Sequence, residues 1–254
     1  MRVYGFITVA VKRRIAATNE GSFALRTFNK NETEANRIEM VFSRQLTSQE
    51  IQILLTMQEF VRAAHADSDS HDYSHVLTVC RYAIQIAKNI EEEVDPFVII
   101  AGSLLHDIGK TNRVFAHIHG LLGGTLAEEY LDGLKIDEAV RDTIARVVIR
   151  HTPTSKIPPE TPEEKVVYDA DTLDRLGLMG LIRGFIGKTG SMERIMTKYM
   201  EKRKEDYEKL NFHYSRDLGD DLHRELMDFM FVLEERLSAR MASIEHIFEN
   251  EKLV

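Results

Sequence analysis

The chain has 254 residues, with 33 Lys and Arg against 41 Asp and Glu, ten histidines, one cysteine and no tryptophan. Its formal charge of −8 excludes a broad surface for gripping nucleic acid, because that grip comes from neutralising phosphates with Lys and Arg. The lone Cys80 excludes a disulfide framework and a four-cysteine zinc site within one chain. Hydrophobic residues at 43% and charged residues at 29% describe an ordinary globular chain, long enough for a sizeable core.

The first 45 residues differ from the rest. Val3, Phe6, Ile7, Val9 and Val11 are strand formers, and Phe23, Leu25 and Phe28 partly alternate with polar neighbours. This predicts a small appendage over residues 1–45, a short β-hairpin or an irregular arm. Its apolar run is too short for a signal peptide, its basic residues follow that run, and no small-residue cleavage site comes next. No other segment approaches the roughly 20 apolar residues of a membrane-spanning helix, so the expected location is the cytoplasm.

Helical signals dominate residues 46–254, which read as one all-α domain. Thr47-Ser48-Gln49-Glu50 fits a capping box ahead of Ile51, Leu54, Leu55, Met57 and Val61. A second helix is expected from near His75, carrying the apolar stripe Val76, Val79, Cys80, Ala83, Ile86, Ala87 and Ile90. Asp95-Pro96 supplies an N-cap and first residue for a third. That helix is apolar on every side through Phe97–Ala101 and is therefore expected to be central. A fourth is expected over Gly120 to Leu131. A fifth runs from the Asp137 cap and must stop by Thr152, because Pro153 disfavours helix before it. Thr161-Pro162-Glu163-Glu164 is a second capping box, opening a helix through Val166, Val167, Ala170 and Leu173. Two long helices are expected near residues 191–210 and 220–249.

Candidate chemistry begins where the most apolar helix ends, at Leu104-Leu105-His106-Asp107-Ile108-Gly109-Lys110. A buried imidazole beside a buried carboxylate is costly unless each has a partner. A metal ion provides one for both, and mixed nitrogen and oxygen ligands suit Mn, Fe, Co, Ni or Zn. Asp171 sits among apolar neighbours on its helix, and His75 stands at the head of an apolar stripe. Together, His75, His106, Asp107 and Asp171 make an N2O2 set from three helices. His119 and His151 fall at element ends and, with Asp107 bridging, would make a second site. Blander readings stand beside these. His151 at a helix C-terminus is favoured by the helix dipole, and Asp171 has Arg175 one turn on as a partner.

The order H…HD…D, the segment Leu104–Lys110, the opening His71-Asp72-Tyr73-Ser74-His75-Val76 and the run Asp169-Ala170-Asp171-Thr172-Leu173-Asp174-Arg175-Leu176-Gly177 resemble the HD-domain superfamily of metal-dependent phosphohydrolases. Gly180-Leu181-Ile182-Arg183 continues the similarity, which covers roughly residues 50–240. The resemblance implies an all-helical bundle with His75, His106, Asp107 and Asp171 on a first divalent ion. In two-metal members, positions like His119 and His151 hold a second ion. His117 competes with His119 for that role, and Thr152 stands where the most metal-rich members carry another histidine.

On this reading the chain is a phosphomonoesterase or phosphodiesterase acting on a nucleotide or related small phosphorylated molecule. It uses one or two divalent ions (Mn, Fe, Co, Ni, Zn or Mg) and a metal-activated water as nucleophile. Asp107 is the candidate to orient or deprotonate that water. Lys110 is the candidate to hold a phosphate oxygen as a point charge, or else is a solvated lysine at a helix end. Arg175 and Arg183 either line the phosphate pocket or pair with nearby carboxylates. His71 and Asp72 are candidates to orient ligands from behind. The competing functions are a di-iron oxygenase built on the same ligand set and an inactive ligand-sensing protein. The C-terminal stripe Leu222, Leu226, Phe229, Met230, Leu233, Leu237, Met241 and Ile244 reads as core, with a homodimer interface as its other use. Neither a membrane nor nucleic acid is an expected partner.

Overall fold

The computed structural model describes residues 44–66, 72–186 and 191–250. The expected hairpin or arm draws on residues outside these. Among the described residues every regular element is helical. α1 is Ser48–Ala64, α2 Tyr73–Ala87 and α3 Pro96–Leu105. Two 3₁₀ turns, Ile108–Thr111 and Arg113–Ile118, lead into α4, His119–Gly133, and α5, Glu138–Arg150. A further 3₁₀ turn, Pro153–Ser155, precedes α6 (Pro162–Leu176), α7 (Leu178–Phe185), α8 (Met192–Glu208) and α9 (His213–Asn250). None of these helices is long and apolar enough to cross a membrane.

The helix starts follow from local chemistry. In α1 the Glu50 amide donates to Thr47 Oγ1 at 3.2 Å while the Thr47 amide donates to Glu50 Oε2 at 2.7 Å, a reciprocal capping box. Asp95 Oδ1 accepts from the amides of Phe97 and Val98, with Pro96 filling the first position, where a missing N–H costs nothing. Asp137 does the same for Ala139 and Val140 at the head of α5. At α6, Glu164 donates its amide to Thr161 Oγ1 at 3.3 Å and its Oε2 accepts from the Thr161 amide at 3.2 Å.

The described residues fall into two compact units, up to Asp171 and from Thr172 on, the division lying within α6. In the first unit α3 packs against α1, α2 and α5, and α4 lies along α5. Its core joins Met57 and Val61 of α1, Val76 of α2, Leu104 and Leu105 of α3, Leu131 of α4 and Ile144, Val147 and Val148 of α5. α3 is buried at every position but Ile100, as its all-round apolar sequence requires.

In the second unit Leu181 of α7 meets Leu226 and Met230 of α9, with Leu178, Phe185 and Tyr199 packed around them. Two features differ from the sequence expectation. α7 was not anticipated, and α9 begins at His213 rather than at Asp220. Gly219, inside α9, lets the helix approach its neighbours: a Cβ there would lie 3.1 Å from Leu210 Cδ1 and 3.4 Å from Leu173 Cδ2.

Candidate metal centre

Four histidines and two aspartates of the first unit are buried side by side. They form two groups, His75 with His106 and Asp171, and Asp107 with His119 and His151; within each group the nearest ligand atoms all lie within 4.8 Å of one another. These are the six residues the sequence singles out. His117, the rival for the His119 role, is exposed.

Each side chain is delivered by a distinct local device. Asp72 caps α2, its Oδ1 accepting from the His75 amide at 2.9 Å, so His75 sits in the first turn of that helix with a fixed backbone. His106 ends α3 and Asp107 follows in a non-helical conformation (φ −102°, ψ 14°) before the 3₁₀ turn. That change of path sends two consecutive side chains into one centre. His119 opens α4, and His151 caps the C-terminus of α5. Asp171 comes from the middle of α6.

Glycines allow these elements to close on one another. A Cβ on Gly109 would lie 2.1 Å from the carbonyl oxygen of His119 and 2.9 Å from the Gly123 amide. One on Gly120 would lie 2.9 Å from the Ile149 carbonyl oxygen, and one on Gly123 3.0 Å from Val148 Cγ1. Thr152 is buried, and its Cγ2 would stand 3.1 Å from the same Gly120 Cβ, so a small side chain packs there against α4.

The carboxylate of Asp107 faces both groups. Its Oδ2 lies 3.4 Å from His75 Nε2 and 3.6 Å from His106 Nε2. Its Oδ1 lies 3.5 Å from the Nε2 atoms of both His119 and His151. His75 Nε2 is also 3.2 Å from His106 Nε2 and 3.5 Å from Asp171 Oδ1. Ligand atoms held roughly 2.0–2.2 Å from one ion stand about 3.0–3.6 Å apart, so these spacings fit metal coordination.

Tautomers point the same way. His106 Nδ1 lies 2.7 Å from the Ser103 carbonyl oxygen, and His151 Nδ1 2.6 Å from that of Val148. Each contact is satisfied by an Nδ1–H donor, which leaves the Nε2 lone pair facing the centre. Burial pushes the His106 imidazole down to about 3, against the opposing pull of Asp107, so it stays neutral at ordinary pH. A neutral imidazole cannot offset the two buried carboxylates, whereas a divalent cation can. The donor set, its spacing and its charge therefore fit one or two divalent ions of the borderline class.

The three other predicted residues lie apart from this cluster in role. Lys110 is half-buried in the turn after Asp107, its backbone N–H donating to the Asp107 carbonyl at 2.8 Å. Its ammonium has no ion pair among the described residues. Within the second unit, Arg175 donates to Thr172 Oγ1 at 2.7 Å and lies 3.8 Å from Asp206, while Arg183 pairs with Asp174 and donates to its carbonyl oxygen at 3.0 Å. Arg183 thus pairs with a neighbouring carboxylate, while Arg175 reaches Asp206 rather than only the Asp171 or Asp174 that its own helix offers. His71 lies outside the described residues, and Asp72 acts on His75 through the backbone. Sequence reasoning missed the turn Arg113–Ile118, which has no helical or strand period to reveal it.

Residues 72–176 match the HD domain family. Every residue of the centre lies within them. Among proteins, the chain is 32% identical over 176 residues to a tRNA (cytidine(56)-2'-O)-methyltransferase of Picrophilus torridus, a match covering 60% of this chain and 45% of that protein. The chain thus spans less than half the length of that relative. It is 24% identical over 181 residues to the uncharacterized protein YpgQ of Bacillus subtilis, covering 66% of this chain and 85% of YpgQ. Among solved structures, YpgQ in complex with ADP aligns with a TM-score of 0.56 at 23% identity, over 74% of this chain and 96% of that one. An HD-superfamily hydrolase from Bacillus thuringiensis aligns with a TM-score of 0.57 at 21% identity, over 75% of this chain and 99% of that one. These structural likenesses show a shared all-helical fold.

Proposed function

We propose, from the match of residues 72–176 to the HD domain family, that the chain is a metal-dependent phosphohydrolase acting on a nucleotide or a related small phosphorylated molecule. The observation that carries this reading is the division of Asp107 between two imidazole pairs, 3.4 and 3.6 Å from one and 3.5 Å from both members of the other. A carboxylate so placed suits a two-ion site for displacement at phosphorus.

His75, His106, Asp107 and Asp171 would hold a first ion, and Asp107, His119 and His151 a second. Bound there, a divalent ion would offset charge on phosphoryl oxygens and lower the pKa of a coordinated water from 15.7 to around 7. The protein's own groups do the rest. Asp107 orients the attacking water and takes its proton at a carboxylate oxygen. Ser103 and Val148, through their carbonyl oxygens, hold the His106 and His151 rings in the tautomer that leaves Nε2 free. Lys110, three positions beyond Asp107 and without an ion pair among the described residues, supplies a point charge for a non-bridging phosphate oxygen. The ADP held by YpgQ, a protein of the same fold, supports a nucleotide as the ligand class.

The test is a phosphate-release screen of the full chain against a nucleotide panel, with Mn, Co, Ni, Zn, Mg or Fe(II) added in turn. Activity that His106→Ala and Asp107→Ala abolish, in variants that keep their helical circular dichroism, supports the proposal. Equal activity in both variants and the parent overturns it. Oxygen consumption by anaerobically iron-loaded protein, without phosphate release, would replace it with the oxygenase reading.

A further inference from the structure

We propose that the turn Arg113–Ile118 and the first turn of α4 form a nucleobase-binding rim beside the metal centre, with Phe115 as its stacking face. The proposal rests on the nucleotide reading above and assigns the part of the site that the phosphate chemistry leaves out.

The rim is placed by its neighbours. The turn packs against the turn Ile108–Thr111, against α4 and against the turn Pro153–Ser155. The first of these begins next to Asp107, the second begins with His119 and the third lies two residues beyond His151. The rim therefore borders the three elements that deliver Asp107, His119 and His151, and Lys110 lies in the first of them.

Its composition is unusual for a solvent-facing turn. Val114 is 75% exposed, Phe115 41%, Ile118 37% and Leu121 41%, four large apolar side chains within eight residues. Only Ile51, Leu55 and Leu77 are comparably exposed elsewhere among the described residues up to Asp171, and they lie in α1 and α2. Scattered apolar residues on a surface need no explanation, but four within eight residues on elements that border a polar centre do. Of the three described phenylalanines in this unit, Phe97 is buried, Phe60 is half-buried and Phe115 alone is exposed.

The backbone shows why. Asn112 accepts the Val114 amide at 3.1 Å and opens the turn, and the helical path then breaks at Phe115 itself (φ −106°, ψ 17°). This bridge-region conformation is common in active-site residues. A ligand with an anionic end and a flat aromatic end matches a buried metal centre, a lysine in the turn after Asp107 and an apolar rim. A nucleotide has both ends. Stacking on an aromatic ring accepts any base, so the rim predicts tolerance among bases and discrimination against base-free phosphates.

The test is calorimetric binding to the Mn-loaded full chain, with ADP and inorganic pyrophosphate as the two probes. The parent should bind ADP more tightly than pyrophosphate. Phe115→Ala should weaken ADP by about 5- to 100-fold and leave pyrophosphate unchanged, while Phe115→Trp should keep ADP binding. Equal loss of both probes in Phe115→Ala, an unchanged ADP affinity, or a parent that does not favour ADP each overturns the rim. Base-dependent ADP binding without hydrolysis of any nucleotide would leave the rim standing and remove the phosphohydrolase reading. Nucleotide hydrolysis with an indifferent Phe115→Ala would do the reverse.

Discussion

Asp107 Oδ1 stands 3.5 Å from His151 Nε2, at the opposite end of the carboxylate from the oxygen that faces His75. One side chain therefore belongs to both halves of the centre, and losing it should differ in kind from losing any imidazole. Asp107→Ala is expected to lower the metal content of both sets, whereas His151→Ala should lower only the second. Activity in Asp107→Ala should fall by at least about 100-fold, the scale typical of removing a preorganised charge at a reacting centre. Metal analysis by inductively coupled plasma mass spectrometry of protein loaded with Mn and desalted checks the stoichiometry. Equal metal loss in the two variants would contradict the bridging role.

Gly109 makes the joint between the turn after Asp107 and the start of α4. Its missing Cβ would fall 2.1 Å from the His119 carbonyl oxygen, and a backbone atom cannot rotate away. Gly109→Ala must push α4 outward and carry His119 with it. The expected result is a loss of stability of about 1–3 kcal/mol, as for overpacking in general. Metal should be lost preferentially from the His119 and His151 set. Urea unfolding monitored by circular dichroism, together with metal counting on the same samples, separates the two effects.

Much of this centre is legible in the amino-acid sequence. Asp95-Pro96, Asp137 and the Thr47/Glu50 and Thr161/Glu164 boxes are short-range signals, and each does the predicted work at a helix start. The His-Asp pair stood out because it follows an all-apolar helix, and Asp171 because of its place in the resembling segment. What could not be read depends on backbone that lacks a period. Between Lys110 and His119 the chain runs through 3₁₀ turns, so spacing cannot decide whether His117 or His119 faces inward. α7 spans only Leu178–Phe185 and contains Gly180 and Gly184, too short and too glycine-rich to show a helical period. Gly180 is there for close approach, since a Cβ would meet the Arg175 carbonyl oxygen at 2.4 Å.

The His106 ring gives the metal-free protein a defined acid sensitivity. Burial holds this imidazole down at about 3 in the folded chain, while an unfolded imidazole titrates near 6.5. Below about pH 6.5 the unfolded chain takes up a proton that the folded chain refuses, so unfolding is favoured increasingly as the pH falls toward 3. Above 6.5 both forms are neutral and this contribution is flat. The metal-free protein should therefore show a melting temperature that declines on acidification through this window. His106→Gln should flatten the decline. An unchanged slope in that variant would show that other groups carry it.

Glu164 and Asp171 lie on the same helix and are both buried, but they answer to different demands. Glu164 Oε1 accepts from Arg146 Nε at 3.0 Å, and its Oε2 accepts from the amides of Glu160 at 2.7 Å and Thr161 at 3.2 Å. It ties the head of α6 to α5, so Glu164→Ala leaves those amides and Arg146 Nε without this acceptor, while Arg146 keeps its bond to Glu160. Arg146 is partly exposed, which discounts the ion pair, and the expected loss is about 2 kcal/mol. Asp171 instead faces the His75 ring at 3.5 Å, within the group of ligand atoms that would hold an ion. Asp171→Ala should leave the metal-free protein as stable as the parent or more so, because a costly buried carboxylate is gone. Its metal dissociation constant should rise by at least about 10-fold. Urea unfolding of both variants without metal, and Mn titration of both, should give opposite patterns: stability lost with metal binding kept for Glu164→Ala, stability kept with metal binding lost for Asp171→Ala. A destabilised, metal-competent Asp171→Ala would mean that this carboxylate serves the fold rather than the ion.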